Sequence, residues 1–134
     1  MTRCLSAVVA LGLMIAAVPT SAHHSFNTFF DMSRTVQIEG VVTSFRLVSP
    51  HSEMMVDVPD ASGKPVTWRI TARTGAVNAK REGWKAEDFI GKKVKVEGNP
   101  TRREGGTAMA AGVVTFADGK VVCLGGCPGG PPTE

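Results

Sequence analysis

Short segments in which apolar and polar residues alternate recur along most of the chain, and they constrain its fold most strongly. A period of two residues predicts half-buried β-strands. The first such segment, Thr35–Val48, is rich in Val, Thr and Ile and is interrupted by Gly40, which predicts a bulge or bend there. The further predicted strands are Glu53–Val58, Val66–Thr71, Lys93–Gly98, Thr107–Phe116 and a short final strand, Val121–Leu124.

The alternation breaks between the third and fourth predicted strands. The sequence there predicts a short helix over Ala76–Glu82, capped by Thr74 and ended by Gly83, and then another helical turn at Ala86–Ile90. Three strands, a helix and two strands is the order of a five-stranded OB-type barrel. We therefore predict an all-β, OB-like barrel over residues 35–124, with another small β-barrel or a sandwich as the alternative.

The first 22 residues differ in composition from the rest. Cys4–Val18 is apolar throughout, follows Arg3 and precedes small residues at Thr20 and Ala22, which is typical of a cleaved signal peptide. The run is shorter than the ~20 residues that a membrane-spanning helix needs, and a retained anchor is the alternative. Cleavage after Ala22 predicts an exported protein, periplasmic or secreted, with no transmembrane segment in the mature chain.

Loss of the leader changes the charge balance. Removal of 22 of the 134 residues would leave 112, comprising an N-terminal arm (23–34), the barrel and a flexible tail (125–134). Loss of Arg3 lowers the net charge from +3 to +2, so the balance does not favour nucleic acid as a partner. The basic pairs are interpreted as solvated faces, with anionic envelope surfaces as the alternative; they are Lys80-Arg81, Lys92-Lys93 and Arg102-Arg103.

Several motifs stand in an order that resembles one family. They are His23-His24-Ser25-Phe26, Gly40-Val41-Val42-Thr43, Pro50-His51, Asp60 to Gly63, Trp68, Gly83-Trp84, Val94 to Gly98 and Asp118-Gly119. The family is an uncharacterised group of exported bacterial domains, domain of unknown function family 6152, described as small OB-like barrels. The resemblance covers most of residues 22–122 and implies the fold and export, but no activity. Ser49, Ser52 and Thr71 depart from the residues that are usual in that family.

All three histidines of the chain are candidate metal ligands. After cleavage at Ala22, the amine and ring of His23 would chelate one metal ion, and His51 or His24 would add an imidazole, giving a T-shaped site suited to copper(II). Cleavage after Ser21 would instead place a histidine at the second and third positions, which also favours copper(II). The alternative is that His24 is solvated, that His51 is hydrogen-bonded within its loop, and that any copper binding is incidental.

The sulfur atoms of methionine and cysteine are further candidate metal ligands. Met54 and Met55 face opposite sides of a strand, so at most one could ligate copper(I), and core packing is the simpler role for one of them and for Met109. Cys123 and Cys127 remain after the leader is lost, and an even pair in an exported chain predicts one disulfide. A metal or redox site and free or intermolecular thiols are the alternatives for the cysteines.

The sequence carries no glycine-rich phosphate loop and no nucleophile elbow, so we expect a protein that is not an enzyme. Two classes of function remain. The first is an exported domain that binds copper(II) at its mature N-terminus, with copper as its cofactor. The second is a non-enzymatic module that uses the barrel face, without metal, to bind an unidentified envelope protein or surface.

Overall fold

The computed structural model describes residues 26–125, which form a β-barrel preceded by one turn of helix. The helices are α1 (Phe26–Phe29), α2 (Ala76–Arg81) and a single 3-10 turn (Ala86–Asp88). The strands are β1 (Val36–Arg46), β2 (Glu53–Pro59), β3 (Pro65–Ala72), β4 (Lys93–Pro100), β5 (Ala108–Phe116) and β6 (Val121–Cys123). Each predicted strand is therefore present, and no end differs from its predicted position by more than two residues.

The strand order confirms the OB-like barrel. Neighbouring strands pair in the order β3-β2-β1-β4-β5, and all of these pairings are antiparallel. The barrel closes because β3 and β5 also pair, in parallel, from Arg69 opposite Ala108 to Ala72 opposite Ala111. Closure removes the exposed strand edges that an open sheet of this length would leave. The short β6 pairs with the later part of β5, along the edge whose first residues pair with β3, and Val113 lies opposite Cys123.

The interior of the barrel is filled by the inward-facing residues of every strand. Met54, Ile70 and Met109 are fully buried, so the core role predicted for Met109 is confirmed. Phe89, which follows the 3-10 turn, closes one end of the core, with its ring centroid 4.7 Å from that of Phe45. Phe45 and Phe116 are buried, whereas Trp68 and Trp84 are partly buried and pack against the core.

The bulge that was one of the two predictions for Gly40 lies elsewhere in β1. The register of β1 against β2 shifts between Val42 and Ser44, so the bulge lies beyond Gly40. At Gly40 itself the neighbouring strand approaches so closely that a Cβ atom would overlap the carbonyl oxygen of Asp57. The glycine is therefore required by close packing of two backbones, which is the other common reason for a glycine within a strand.

The predicted cap of α2 is also wrong, whereas its predicted end is confirmed. The residue that caps α2 is Gly75, with no side-chain hydrogen bond, because the Thr74 hydroxyl instead donates to the Leu124 carbonyl at 3.3 Å. Gly83 follows the last turn with a φ of 75°, a conformation that ends helices at glycine. Within residues 26–125, helices are all too short to cross a membrane.

Candidate functional site

His51 lies at the end of the loop that joins β1 to β2, where the barrel fixes its backbone. The next residue, Ser52, is fully buried; its N–H donates to the Thr74 carbonyl at 3.0 Å and its carbonyl accepts from Ala72 N–H at 2.8 Å. The Ser52 hydroxyl donates to the Val48 carbonyl at 3.4 Å. The buried serine is therefore accommodated with its polar atoms hydrogen-bonded.

The His51 ring is half-buried and contacts two other elements. Its Nδ1 lies 3.4 Å from the carbonyl oxygen of Arg73, which follows β3. The edge of the ring meets the ring of Phe26 in α1, with centroids 4.7 Å apart and an interplanar angle of 86°. The loop histidine and the N-terminal arm are thus in direct contact, as the sequence-based hypothesis requires.

The arm is held against the loop between β4 and β5. The Arg102 N–H donates to the Phe29 carbonyl at 2.9 Å, and the Asp31 N–H donates to the Pro100 carbonyl at 2.8 Å. Phe30 is buried and stacks with Phe26, at a centroid distance of 5.6 Å. These contacts place the ring of Phe26 beside His51.

Arg73 joins the arm, the His51 loop and the last strand. Its guanidinium lies over the Phe26 ring, 5.4 Å from the centroid, and its Nη2 is 3.8 Å from the sulfur of Met32. Its backbone N–H donates to the Leu124 carbonyl at 3.0 Å. Because these partners are distant in sequence, nothing in the local pattern around Arg73 predicted its position at the site.

A groove of about 340 Å³ opens beside His51, and we call it the arm groove. One wall is apolar and consists of Phe26, Phe29 and Phe30. The opposite wall comes from β2 and β3 and includes the ion pair between Glu53 and Arg69, whose charged atoms are 3.7 Å apart. The hydroxyl-bearing Thr71 also lines this wall.

Of the predicted ligands other than His51, only Met54, Met55 and Cys123 lie within the described residues. His23, His24 and Cys127 lie outside the described residues, so the complete metal site and the disulfide stay predictions. Among residues 26–125, acidic, histidine and cysteine side chains do not gather in a group of three or more that could hold a metal ion. Met54 is fully buried in the core, and Met55 points to the other face of β2. Cys123 is exposed at the end of β6.

A second cavity, of about 500 Å³, lies on the other side of the β4–β5 loop. Its lining includes Arg34, Trp68, Arg102 and Arg103. From the sequence, Arg102-Arg103 is interpreted only as a solvated pair, so its juxtaposition with Trp68 was missed. The basic pair itself is visible in the sequence, but its proximity to Trp68 is not, because Arg102 follows Trp68 by 34 residues.

Comparison with known proteins gives the family and nothing finer. Neither a search of curated proteins nor a search of solved structures gave a match to this chain. The model of a family of unknown function, DUF6152, matches residues 10–110, which is most of the chain. The predicted resemblance is therefore confirmed, and the protein belongs to this family of unknown function.

Proposed function

We propose that the protein is exported, is cleaved after Ala22, and binds copper(II) at its new N-terminus. His23 supplies its amine and ring nitrogen, and His51 supplies the further imidazole, with His24 as the alternative donor. The protein binds or transfers the metal and has no enzymatic activity. Amine and imidazole nitrogens are ligands for which copper(II) has a higher affinity than the other divalent metals of its row.

The contact between Phe26 and His51 carries this proposal. Phe26 is the third residue after His23, and an extended chain spans at most about 3.6 Å per residue. The Cα atom of His23 therefore lies within about 11 Å of that of Phe26, whose ring is 4.7 Å from the His51 ring. This distance is within the reach of an N-terminal chelate that shares a metal ion with His51.

The second support is the hydrogen-bonding position of His51. Histidines that bind metals through one ring nitrogen usually donate the other ring N–H to a backbone carbonyl or a carboxylate. Nδ1 of His51 faces the Arg73 carbonyl at 3.4 Å. In the tautomer that donates there, Nε2 carries the lone pair for a metal ion. The buried, hydrogen-bonded Ser52 beside it holds this orientation.

Titration of copper(II) into protein that begins at His23 tests the proposal, with electron paramagnetic resonance as the readout. We expect His51→Ala, and an additional residue before His23, each to weaken binding about tenfold or more and to change the spectrum. The matched control is Thr71→Ala, which changes the same groove without removing a nitrogen ligand. His24→Ala identifies which imidazole is used. If neither His51→Ala nor the N-terminal extension changes affinity or spectrum, the proposed site is wrong.

Export is tested separately by mass spectrometry of the protein recovered from the cell envelope or medium. A first residue at His23 is the expected result. A first residue at Ala22 would leave a histidine at the third position and would require a different copper chelate, and an uncleaved N-terminus would contradict the proposal.

The arm groove favours one other function, a binding module that needs no metal. Its volume of about 340 Å³ and its apolar wall of three phenylalanines are suited to a small or narrow ligand. Binding to a purified envelope fraction that persists in the presence of a chelator, and that is unchanged by His51→Ala, would support this function over copper binding.

A further inference from the structure

We propose that the second cavity binds an anionic saccharide unit, meaning a sugar ring that carries a carboxylate, sulfate or phosphate group. We call it the arginine pocket and define it by Arg34, Trp68, Arg102, Arg103 and the Gly105-Gly106 turn. The site is independent of the copper(II) site proposed above, and it uses none of the same side chains.

The charges of the arginine pocket are arranged in two groups. Asp31 and Arg102 already have partners within the protein. Asp31 accepts a hydrogen bond from the hydroxyl of Ser33 at 2.6 Å and lies 4.0 Å from Arg102. The Nε–H group of Arg102 donates to the Asn27 carbonyl at 2.8 Å. By contrast, the guanidinium groups of Arg34 and Arg103 make neither an ion pair nor a hydrogen bond with residues 26–125.

Glu104 is the other acidic residue of the pocket lining, beside Asp31. The lining therefore has three guanidinium groups and two carboxylates. Asp31 is hydrogen-bonded to Ser33 and lies nearest to Arg102, and the charge of Arg34 also acts on it. The lining still has one more guanidinium group than it has carboxylates. Arginine binds planar anions through paired N–H donors, so this excess of guanidinium favours a carboxylate, sulfate or phosphate.

The backbone that presents these arginines is hydrogen-bonded. The Arg103 N–H donates to the Thr101 hydroxyl at 3.2 Å, and the Gly106 N–H donates to the Arg103 carbonyl at 3.1 Å. Gly106 packs so tightly that a Cβ atom there would lie 2.6 Å from the Thr101 methyl carbon. The Arg34 carbonyl accepts from the Asn99 side chain at 2.7 Å. Such prior ordering of a site reduces the entropy lost when a ligand binds.

Trp68 and the size of the pocket indicate more than a simple inorganic anion. Trp68 is half-buried, lines the cavity, and its indole N–H makes no hydrogen bond with the described part of the chain. An aromatic ring with a polar tip offers an apolar face and a donor, which suits a sugar ring. A volume of about 500 Å³ also exceeds the space that a single sulfate or phosphate needs and lies within the range of small-molecule sites.

The position of the pocket in the fold supports a saccharide over a nucleic acid. OB barrels bind oligosaccharides and oligonucleotides with strands 2 and 3 and the β1–β2 and β4–β5 loops, and the pocket lies between β3 and the β4–β5 loop. Single-stranded nucleic acid is usually held by successive stacked aromatic residues in a strongly basic groove. Among the described lining residues, Trp68 is the single aromatic side chain.

Calorimetric titration of the purified protein, with a chelator present, tests the proposal with three probes of equal length: a heparin hexasaccharide, maltohexaose and a six-nucleotide oligothymidylate. We expect the heparin hexasaccharide to bind, and Arg103→Glu and Arg34→Glu each to weaken it about tenfold. The matched control is Arg81→Glu in α2, which makes the same charge change outside the pocket. In ¹⁵N spectra, the indole signal of Trp68 should move on binding and that of Trp84 should not.

Three results would overturn the proposal. One is equal loss of affinity in Arg103→Glu and Arg81→Glu, which would indicate nonspecific charge attraction. Another is binding of maltohexaose as tightly as the heparin hexasaccharide, which would remove the role of the anionic group. The third is tighter binding of the oligothymidylate with the same dependence on Arg103, which would assign the pocket to nucleic acid. The chelator keeps each result independent of the copper(II) proposal.

Discussion

The barrel and the N-terminal arm are stabilised in different ways. Each barrel strand is paired with neighbours along most of its length, and its alternate residues are buried in a common core. In the arm, none of the four residues of α1 (Phe26–Phe29) is buried; it is held by a few main-chain hydrogen bonds to the β4–β5 loop and by the contacts of Phe26 and Phe30.

Because of this difference, we expect substitutions that lower the stability of the protein to be distinct from those that alter the proposed binding. His51 is fixed by the barrel, whereas its aromatic partner Phe26 comes from the arm. Changes in the barrel should therefore unfold the protein. Changes in the arm should alter the environment of His51 while leaving the barrel folded.

The largest expected effect comes from the close approach of β4 and β5. A Cβ atom on Gly98 would overlap the Ala110 carbonyl oxygen, so Gly98→Ala requires the strands to separate. We expect a loss of roughly 3 kcal/mol or more in the free energy of unfolding, measured by urea denaturation. Gly112→Ala is the matched control, because its Cβ would lie 3.6 Å from the Glu97 carbonyl oxygen. Equal effects of the two substitutions would contradict the close packing of β4 against β5 at Gly98.

A core truncation should follow in size. Ile70 is fully buried and belongs to β3, which pairs with both β2 and β5. Ile70→Ala should lower the free energy of unfolding by about 2–5 kcal/mol because it leaves a cavity. Phe29→Ala in the arm should change stability by less than about 0.5 kcal/mol, since Phe29 is 59% exposed. Thermal or urea unfolding measures both. A larger loss for Phe29→Ala than for Ile70→Ala would show that the arm belongs to the cooperative core.

Phe26→Ala tests whether the arm contributes to the environment of His51. It removes the contacts with His51 and with the Arg73 guanidinium, which together contribute about 1 kcal/mol to stability. Under the proposed function, copper(II) affinity should fall several-fold because the arm no longer rests beside His51, whereas Phe29→Ala should leave it unchanged. Calorimetric copper titration makes the measurement. Unchanged affinity in Phe26→Ala would separate the arm from metal binding.

The smallest expected effect compares two similar turns, one in the arm and one in the barrel. Asp31 and Asp60 each accept a hydrogen bond from the hydroxyl of the serine two residues later, at 2.6 and 2.7 Å. Hydrogen bonding from that serine is the main reason that the pKa of each aspartate lies below its ordinary value of 3.8. A lowered pKa means that each turn gains stability above pH ~3.8 and loses it as the pH falls through the lowered value.

The charges around the two turns differ, so salt should distinguish them. Backbone N–H groups further lower the pKa of both aspartates, but only at Asp31 do the charges of Arg102 and Arg34 add to this lowering. Added salt screens charges but leaves hydrogen bonds in place, so it should raise the pKa of Asp31 more than that of Asp60. Carboxyl-carbon NMR titrations at low and high salt measure this. Arg102→Gln should likewise raise the pKa of Asp31 and leave that of Asp60 unchanged. Equal pKa shifts at the two aspartates would contradict a charge interaction between Asp31 and Arg102.

Sequence reasoning was most accurate where structure depends on local pattern. Alternation placed the strands because every second side chain of a half-buried strand faces the core. The turn at Asp60 to Gly63 is also local, because aspartate and glycine stabilise turns, and the Asp60 side chain accepts from the backbone N–H groups of Ser62 and Lys64. The end of α2 at Gly83 was predicted for the same kind of reason.

The candidate sites were predicted only in part. His51 was expected to meet the arm, and its contact with Phe26 agrees with that expectation. The position of Arg73 was missed, as was the grouping of Trp68 with Arg102 and Arg103, because these residues are brought together by strand pairing and loop packing. The errors at Gly40 and Thr74 have the same origin. A glycine in a strand, or a threonine before a helix, has several local explanations, and the true partners, Asp57 and Leu124, are distant in sequence.

The family, the order of strands along the chain and the all-β class can therefore be predicted from the sequence, since its motifs, short-range alternation and turn residues encode them. The contacts of His51, the position of Arg73 and the formation of the arginine pocket arise only when the chain is folded. These depend on closure of the barrel by the parallel pairing of β3 with β5, which aligns residues about 39 positions apart, such as Arg69 and Ala108. The side chains that meet across such a closure are set by register and packing, and a local sequence pattern contains neither.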